Sequence, residues 1–103
     1  DVGWPIEYRL LSEDPIWMSN AFERDTVTIS VHQDVRLDES DYYAACERIF
    51  GSFGGRPHWG KVNYFDGQDF ERAYPKWADW WTARDRLDPD CVFLNEYLRS
   101  IRP

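Results

Sequence analysis

The sequence is short of positive charge, of cysteine and histidine, and of long apolar runs, and each shortage removes a class of function. Twelve Lys and Arg stand against nineteen Asp and Glu, for a formal charge of −7 at pH 7. No basic stripe is left to neutralise phosphates, which argues against a nucleic-acid binder and against electrostatic docking on an anionic leaflet. No apolar stretch approaches the ~18–20 residues that a membrane-spanning helix needs, and nothing resembles a secretory leader. The two cysteines, Cys46 and Cys91, lack CxxC spacing and read as reduced, buried thiols rather than a disulfide. The two histidines, His32 and His58, lie far from each other and from the cysteines, so no zinc-ligand spacing is present and no metal is expected. There is no Gly-x-Ser-x-Gly elbow, no Walker lysine and no GxGxxG. The glycine-rich GSFGG at 51–55 lacks a following Lys-Ser/Thr pair and reads as a helix stop.

What is abundant is aromatic. Of 103 residues 17% are Phe, Trp or Tyr, with six tryptophans, which excludes a disordered acidic tail and fits one modest domain. Such a load implies either a core built on rings or an apolar surface covered by something else. Residues 6–11 alternate, with Ile6, Tyr8 and Leu10 on one side and Glu7 and Arg9 on the other, the period of a half-buried strand. Residues 26–33, TVTISVHQ, repeat the pattern: Val27, Ile29 and Val31 share one face, and Thr26, Thr28, Ser30 and His32 the other. A helix is predicted from Asp38 or Ser40 as cap, with a stripe of Tyr42, Cys46, Ile49, Phe50 and Phe53 ended by Gly54-Gly55. Further on, the patterns predict a short extended segment over 62–65, a helical turn over 69–74, a helix from Pro75 to about Leu87 bearing Trp77, Trp80 and Trp81, and a closing helix over 92–101. Strands followed by helices imply an α+β fold. The chain also enters a strand pattern within a few residues of Asp1, without an initiating Met; a fragment would begin so.

If the two strands pair, one side of the sheet presents a carboxylate, a guanidinium, hydroxyls and an imidazole from Glu7, Arg9, Thr28, Ser30 and His32. Arg offers forked donors, Glu accepts from hydroxyls, and imidazole can do either, so the wall suits a polyhydroxylated ligand. The bland alternative is a solvated face with one weak surface ion pair. Between the helices runs GGRPHWGKVNYF. Alone, its HWGK reads as a loop whose Trp59 fills a gap in the core.

Several stretches taken in order, PIEYRLLSEDPIWMS, RDTVTISVHQD, FGGRPHWGKVNYF and YPKWADWWTARDRLDPDCVFLNEYL, resemble the C-terminal end of the sugar-1,4-lactone and alditol oxidases. This is the L-gulono- and D-arabinono-1,4-lactone oxidase group of the vanillyl-alcohol oxidase FAD flavoprotein superfamily. The resemblance covers essentially the whole chain. It implies a fragment of an antiparallel-sheet substrate (cap) domain with flanking helices, over residues 1–103. FAD would be bound mainly by an N-terminal domain that this sequence does not contain.

The resemblance further implies that Glu7, Arg9 and Lys61 line the substrate site beside the flavin, with His32 on a strand that supplies a further substrate contact. Oxidation of a carbinol by hydride transfer needs stabilisation of developing negative charge and a proton acceptor. Arg9 and Lys61 can supply the first, and His32 or His58 the second; His58 and Lys61 are expected to face the cofactor. The expected partners are a sugar lactone or polyol and the remaining FAD-binding portion of the same enzyme, with self-association of the isolated, inactive fragment. A cytoplasmic location is expected, membrane association of the full-length enzyme being left open. The rival reading is a non-catalytic acidic α+β module that binds a protein through its aromatic surface.

Overall fold

A computed structural model describes residues 3–103. The order of elements is β1 (Glu7–Leu11), β2 (Thr26–Ser30), α1 (Ser40–Ser52), α2 (Gly67–Ala73), α3 (Trp77–Leu87) and α4 (Glu96–Ser100), an α+β arrangement as the pattern implied. The strands pair antiparallel, with Glu7 opposite Ser30, Tyr8 opposite Ile29, Arg9 opposite Thr28 and Leu10 opposite Val27. Directly opposed residues share a face, so the alternation in the two segments is in phase across the ladder.

The core is a stack of rings. Phe70 from α2, Tyr74 at its C-cap, and Trp77 and Trp81 from α3 are buried with Leu94 and Ile101. Phe70 lies nearly parallel to Trp77 at 5.1 Å between centroids, while Trp80 meets Trp81 edge-on at 5.1 Å. The indole nitrogens of Trp77 and Trp81 are buried without a partner. Each orphaned N–H costs about 1–3 kcal/mol. The ~150–250 Å² that a tryptophan buries returns about 4–6 kcal/mol at ~25 cal/mol per Å², so ring burial wins. Helix α2 starts on a capping box, Asp66 accepting from the Asp69 N–H and Asp69 accepting from the Asp66 N–H. Its first residue, Gly67, lies where a Cβ would come within 2.7 Å of the Ile101 carbonyl oxygen, and the chain's tail thereby packs on the start of α2.

Four expectations need correction. Strand β2 ends at Ser30 rather than running to residue 33, so His32 lies beyond the ladder. Residues 62–65 form no strand. The closing helix spans only five residues: the Asp88 carboxylate accepts from the Val92 and Phe93 N–H groups at 2.8 and 3.0 Å, holding 88–93 in a turn, and Asn95 caps the helix by accepting from Leu98. Along the α1 stripe, Tyr42, Cys46 and Phe50 are half-buried, while Ile49 and Phe53 are exposed. Both thiols are free, but half-buried rather than buried.

Among the described residues, no helix packs across the hairpin. Tyr8 and Leu10 are 65% and 76% exposed, while Thr26, Thr28 and Ser30 on the opposite face are half-buried. The apolar side of the sheet is the open one.

Candidate active site

Period-two geometry puts Glu7 and Arg9 on one face of β1, and the side chains close on each other. One Arg9 Nη donates to both carboxylate oxygens of Glu7 at 3.0 Å. Both groups are exposed, so the pair contributes only about 0–1 kcal/mol to stability. Its effect is orientation: Glu7 holds the guanidinium fork beside the hydroxyls of Thr28 and Ser30, which the register places opposite.

His32 sits past the strand end, with Nδ1 3.0 Å from the Pro5 carbonyl oxygen. A carbonyl only accepts, so Nδ1 carries the proton and Nε2 keeps its lone pair.

The loop over residues 58–61 is built differently. Trp59 packs on the ring core, edge-on to Trp80 at 5.7 Å, and anchors the loop. His58 then folds back: its Nδ1 accepts from the Gly60 N–H at 3.2 Å and its carbonyl accepts from the Lys61 N–H at 2.9 Å. A Cβ on residue 60 would stand 3.3 Å from the exposed His58 ring, a close approach that a small shift of the ring can relieve. With Nδ1 accepting, the neutral His58 ring carries its proton on Nε2. The two histidines therefore differ in kind, His32 offering an acceptor and His58 a donor. Asn63 donates to the Lys61 carbonyl at 2.9 Å and to the Tyr97 hydroxyl at 3.3 Å. Lys61 is exposed and forms no ion pair among the described residues. A cleft of about 330 Å³ opens here, lined by Trp59, Gly60, Lys61, Asn95, Tyr97 and Leu98.

The predicted residues thus fall into two groups, Glu7 with Arg9 on the hairpin, and His58 with Lys61 on the loop. No hydrogen bond or ion pair joins the groups among the described residues, and His32 stands with the hairpin. What fixes one relative to the other is Arg56. Its Nε donates to the Ala73 carbonyl at 2.8 Å and its Nη1 to that of Phe22 at 2.9 Å, and the Asn20 side chain donates to the Arg56 carbonyl at 2.6 Å. The connector between the strands is thereby tied to α2 two residues before His58. Burial, and next the neighbouring Arg24 charge, pull the Arg56 guanidinium below its usual pKa. Arg56, Asn63 and Tyr97 are missing from the residues singled out by sequence. The signals were an arginine between the glycines and the proline for Arg56, and the Asn95-x-Tyr97 spacing for Tyr97; nothing pointed to Asn63.

The hairpin group offers a fork of donors beside a carboxylate, hydroxyls and an imidazole acceptor, and the separate loop group an ammonium; each is chemistry suited to hydroxyl groups. The D-arabinono-1,4-lactone oxidase family model matches residues 1–101, and the chain belongs to that family. It is 43% identical over 100 residues to an L-gulono-1,4-lactone dehydrogenase of Mycobacterium tuberculosis, covering 97% of this chain and 23% of the relative. It is 37% identical over 102 residues to the L-gulonolactone oxidase of Mus musculus, covering 95% and 23%. An alditol oxidase from Streptomyces is 31% identical over 98 residues, covering 92% and 23%. The chain spans less than a quarter of the length of these curated relatives.

Proposed function

We propose that this chain is the C-terminal part of the substrate domain of an FAD-dependent oxidoreductase that oxidises an aldono-1,4-lactone or related polyol by hydride transfer to flavin. The observation that carries the reading is the pairing register, which gathers Glu7, Arg9, Thr28 and Ser30 on one face of the hairpin, in a chain whose relatives are named as lactone and alditol oxidoreductases. A family flavin fits the donor set on the loop: the unpaired Lys61 ammonium and the Nε2–H of His58 are the residues that would hold its polar edge. When bound, that cofactor supplies the hydride acceptor.

The chain's own residues do the rest. Arg9, oriented by Glu7, donates to the oxygen of the reacting carbinol and stabilises the charge that develops there. Lys61 brings a second positive charge from the loop. His32, with Nε2 free to accept, takes the hydroxyl proton, whereas His58 serves as a donor. A cytoplasmic location belongs to the same proposal.

The test is anaerobic reduction of the full-length, FAD-loaded enzyme by L-gulono-1,4-lactone. Lys61→Met and Arg9→Met should each slow flavin reduction by about 10²-fold or more, with the melting temperature nearly unchanged because both side chains are exposed. Unaltered reduction rates in both variants would refute the assignment. The open apolar face of the hairpin favours a second reading, a non-catalytic module that docks a protein there. A full-length protein that holds no FAD would support that module instead.

A further inference from the structure

The cleft beside Lys61 contains a hydroxyl that the proposed reaction leaves unused. Tyr97 lines it from α4, and the Tyr97 oxygen accepts a hydrogen bond from Asn63 Nδ2 at 3.3 Å. The orientation of Asn63 is over-determined. One amide group donates to both the Lys61 carbonyl and the Tyr97 oxygen, while Oδ1 accepts from the Phe65 N–H at 3.3 Å. A flipped amide would set its NH2 against the Phe65 N–H and its oxygen against the Lys61 carbonyl, two like-to-like contacts. With the Tyr97 oxygen accepting, the phenolic proton has no partner among the described residues and is free to donate into the cleft. Asn95 adds to the polar lining: its Oδ1 is spent on the Leu98 N–H, and its amide NH2 remains free.

We propose that Tyr97 is a further ligand-contacting residue, donating its phenolic proton to a hydroxyl of the bound lactone or polyol, and that Asn63 is a positioning residue that aims Tyr97 and Lys61 together. The inference rests on the functional reading above and extends it, because it assigns a second wall of the substrate site to α4. The chemistry selects a ligand that carries a hydroxyl or carbonyl oxygen remote from the reacting carbon. Tyr97 is then a specificity determinant rather than a participant in hydride transfer. Asn63 couples that determinant to Lys61 through a single amide.

The experiment uses the full-length enzyme with L-gulono-1,4-lactone and the set of its monodeoxy analogues. Binding is read by tryptophan fluorescence, since Trp59 and Trp80 adjoin the loop, and turnover by flavin reduction. Tyr97→Phe should weaken binding of the parent lactone about three- to tenfold, the size of one lost hydrogen bond, and leave the maximal reduction rate within about twofold. One deoxy analogue should bind the variant and the wild type equally, which loosened packing would not produce. Asn63→Ala should lower both binding and the maximal rate, because Lys61 loses its carbonyl anchor as well. The proposal is overturned if Tyr97→Phe binds every analogue as the wild type does, or loses affinity equally for all. A Lys61→Met variant that remains slow in either case leaves the broader reading intact. A wild-type enzyme that neither binds nor is reduced by the lactone overturns both.

Discussion

Tyr74 joins the core to the loop that carries Lys61, and its ionisation can be followed directly. The ring is fully buried, its O–H donates to the Pro57 carbonyl, and the Arg56 guanidinium lies 5.7 Å above it. Burial pushes the phenol up from 10.0 to about 12, the charges of Arg56 and then Arg24 opposing it only in part. The folded state thus keeps its proton where the unfolded chain loses it. The stability tied to the neutral phenol is complete below pH 10 and is lost as pH rises towards 12. At ~1.4 kcal/mol per unit, the loss amounts to about 2–3 kcal/mol.

Urea midpoints of the 103-residue chain, taken across this alkaline range alongside the absorbance of tyrosinate, measure it. Tyr74→Phe should cost about 1 kcal/mol at neutral pH, through the lost bond to Pro57, and should then abolish most of the alkaline decline. Tyr42, also raised by burial first and then by Cys46, supplies a residual slope. A phenylalanine variant that declines like the wild type would refute this account of how the loop entrance is held.

Two further outcomes probe the frame around the site. Alanine at the start of an exposed helix normally stabilises by up to ~1 kcal/mol over glycine, but Gly67→Ala should instead destabilise by about 1–3 kcal/mol, because its Cβ meets the Ile101 carbonyl at 2.7 Å; a raised melting temperature would contradict the packing of the tail. The isolated chain should associate through the open hairpin face, and Leu10→Lys should raise the concentration at which light scattering first detects this. Unchanged scattering would move the association elsewhere.

Much of the hairpin was legible in the sequence because a strand's period is a local property. Alternation around Glu7 and Arg9 put both on one face, and β-branched residues in TVTIS marked the partner strand. Where that ladder stops is not local. His32 continues the alternation on paper, yet pairing ends at Ser30 and the imidazole turns to Pro5. The same limit applies to α1, where helical spacing named the residues sharing a stripe but said nothing of what covers it.

On the loop, the sequence identified Lys61 and suggested that Trp59 anchors it. The role of His58 was beyond reach, since it depends on which nitrogen meets the Gly60 N–H. Asn63 and Tyr97, 34 residues apart, meet only because α4 folds back over the loop. The aromatic load implied either a ring core or an apolar surface awaiting cover, and the structure contains both. Phe70, Tyr74, Trp77 and Trp81 form the one; Tyr8, Leu10, Phe53 and Phe93 remain on the other.

That second population bears on the chemistry as well as on the packing. Two unit charges about 4 Å apart interact by ~1 kcal/mol in bulk water but by ~4 kcal/mol at an effective dielectric constant near 20. The Glu7–Arg9 pair and the Lys61 ammonium are exposed in this chain, so here they are at the weak end of that range. They become strong enough to steer a developing charge only when apolar surface and a bound ligand exclude water around them. Hairpin, loop and α1 each carry large apolar side chains that nothing among the described residues covers, and the polar residues of the candidate site lie on the hairpin, just beyond its second strand and on the loop. Covering those elements would therefore complete the fold and strengthen the site in one step. On the proposed function, stability of the hairpin and tightness of lactone binding should accordingly rise together when those elements are covered, rather than one after the other.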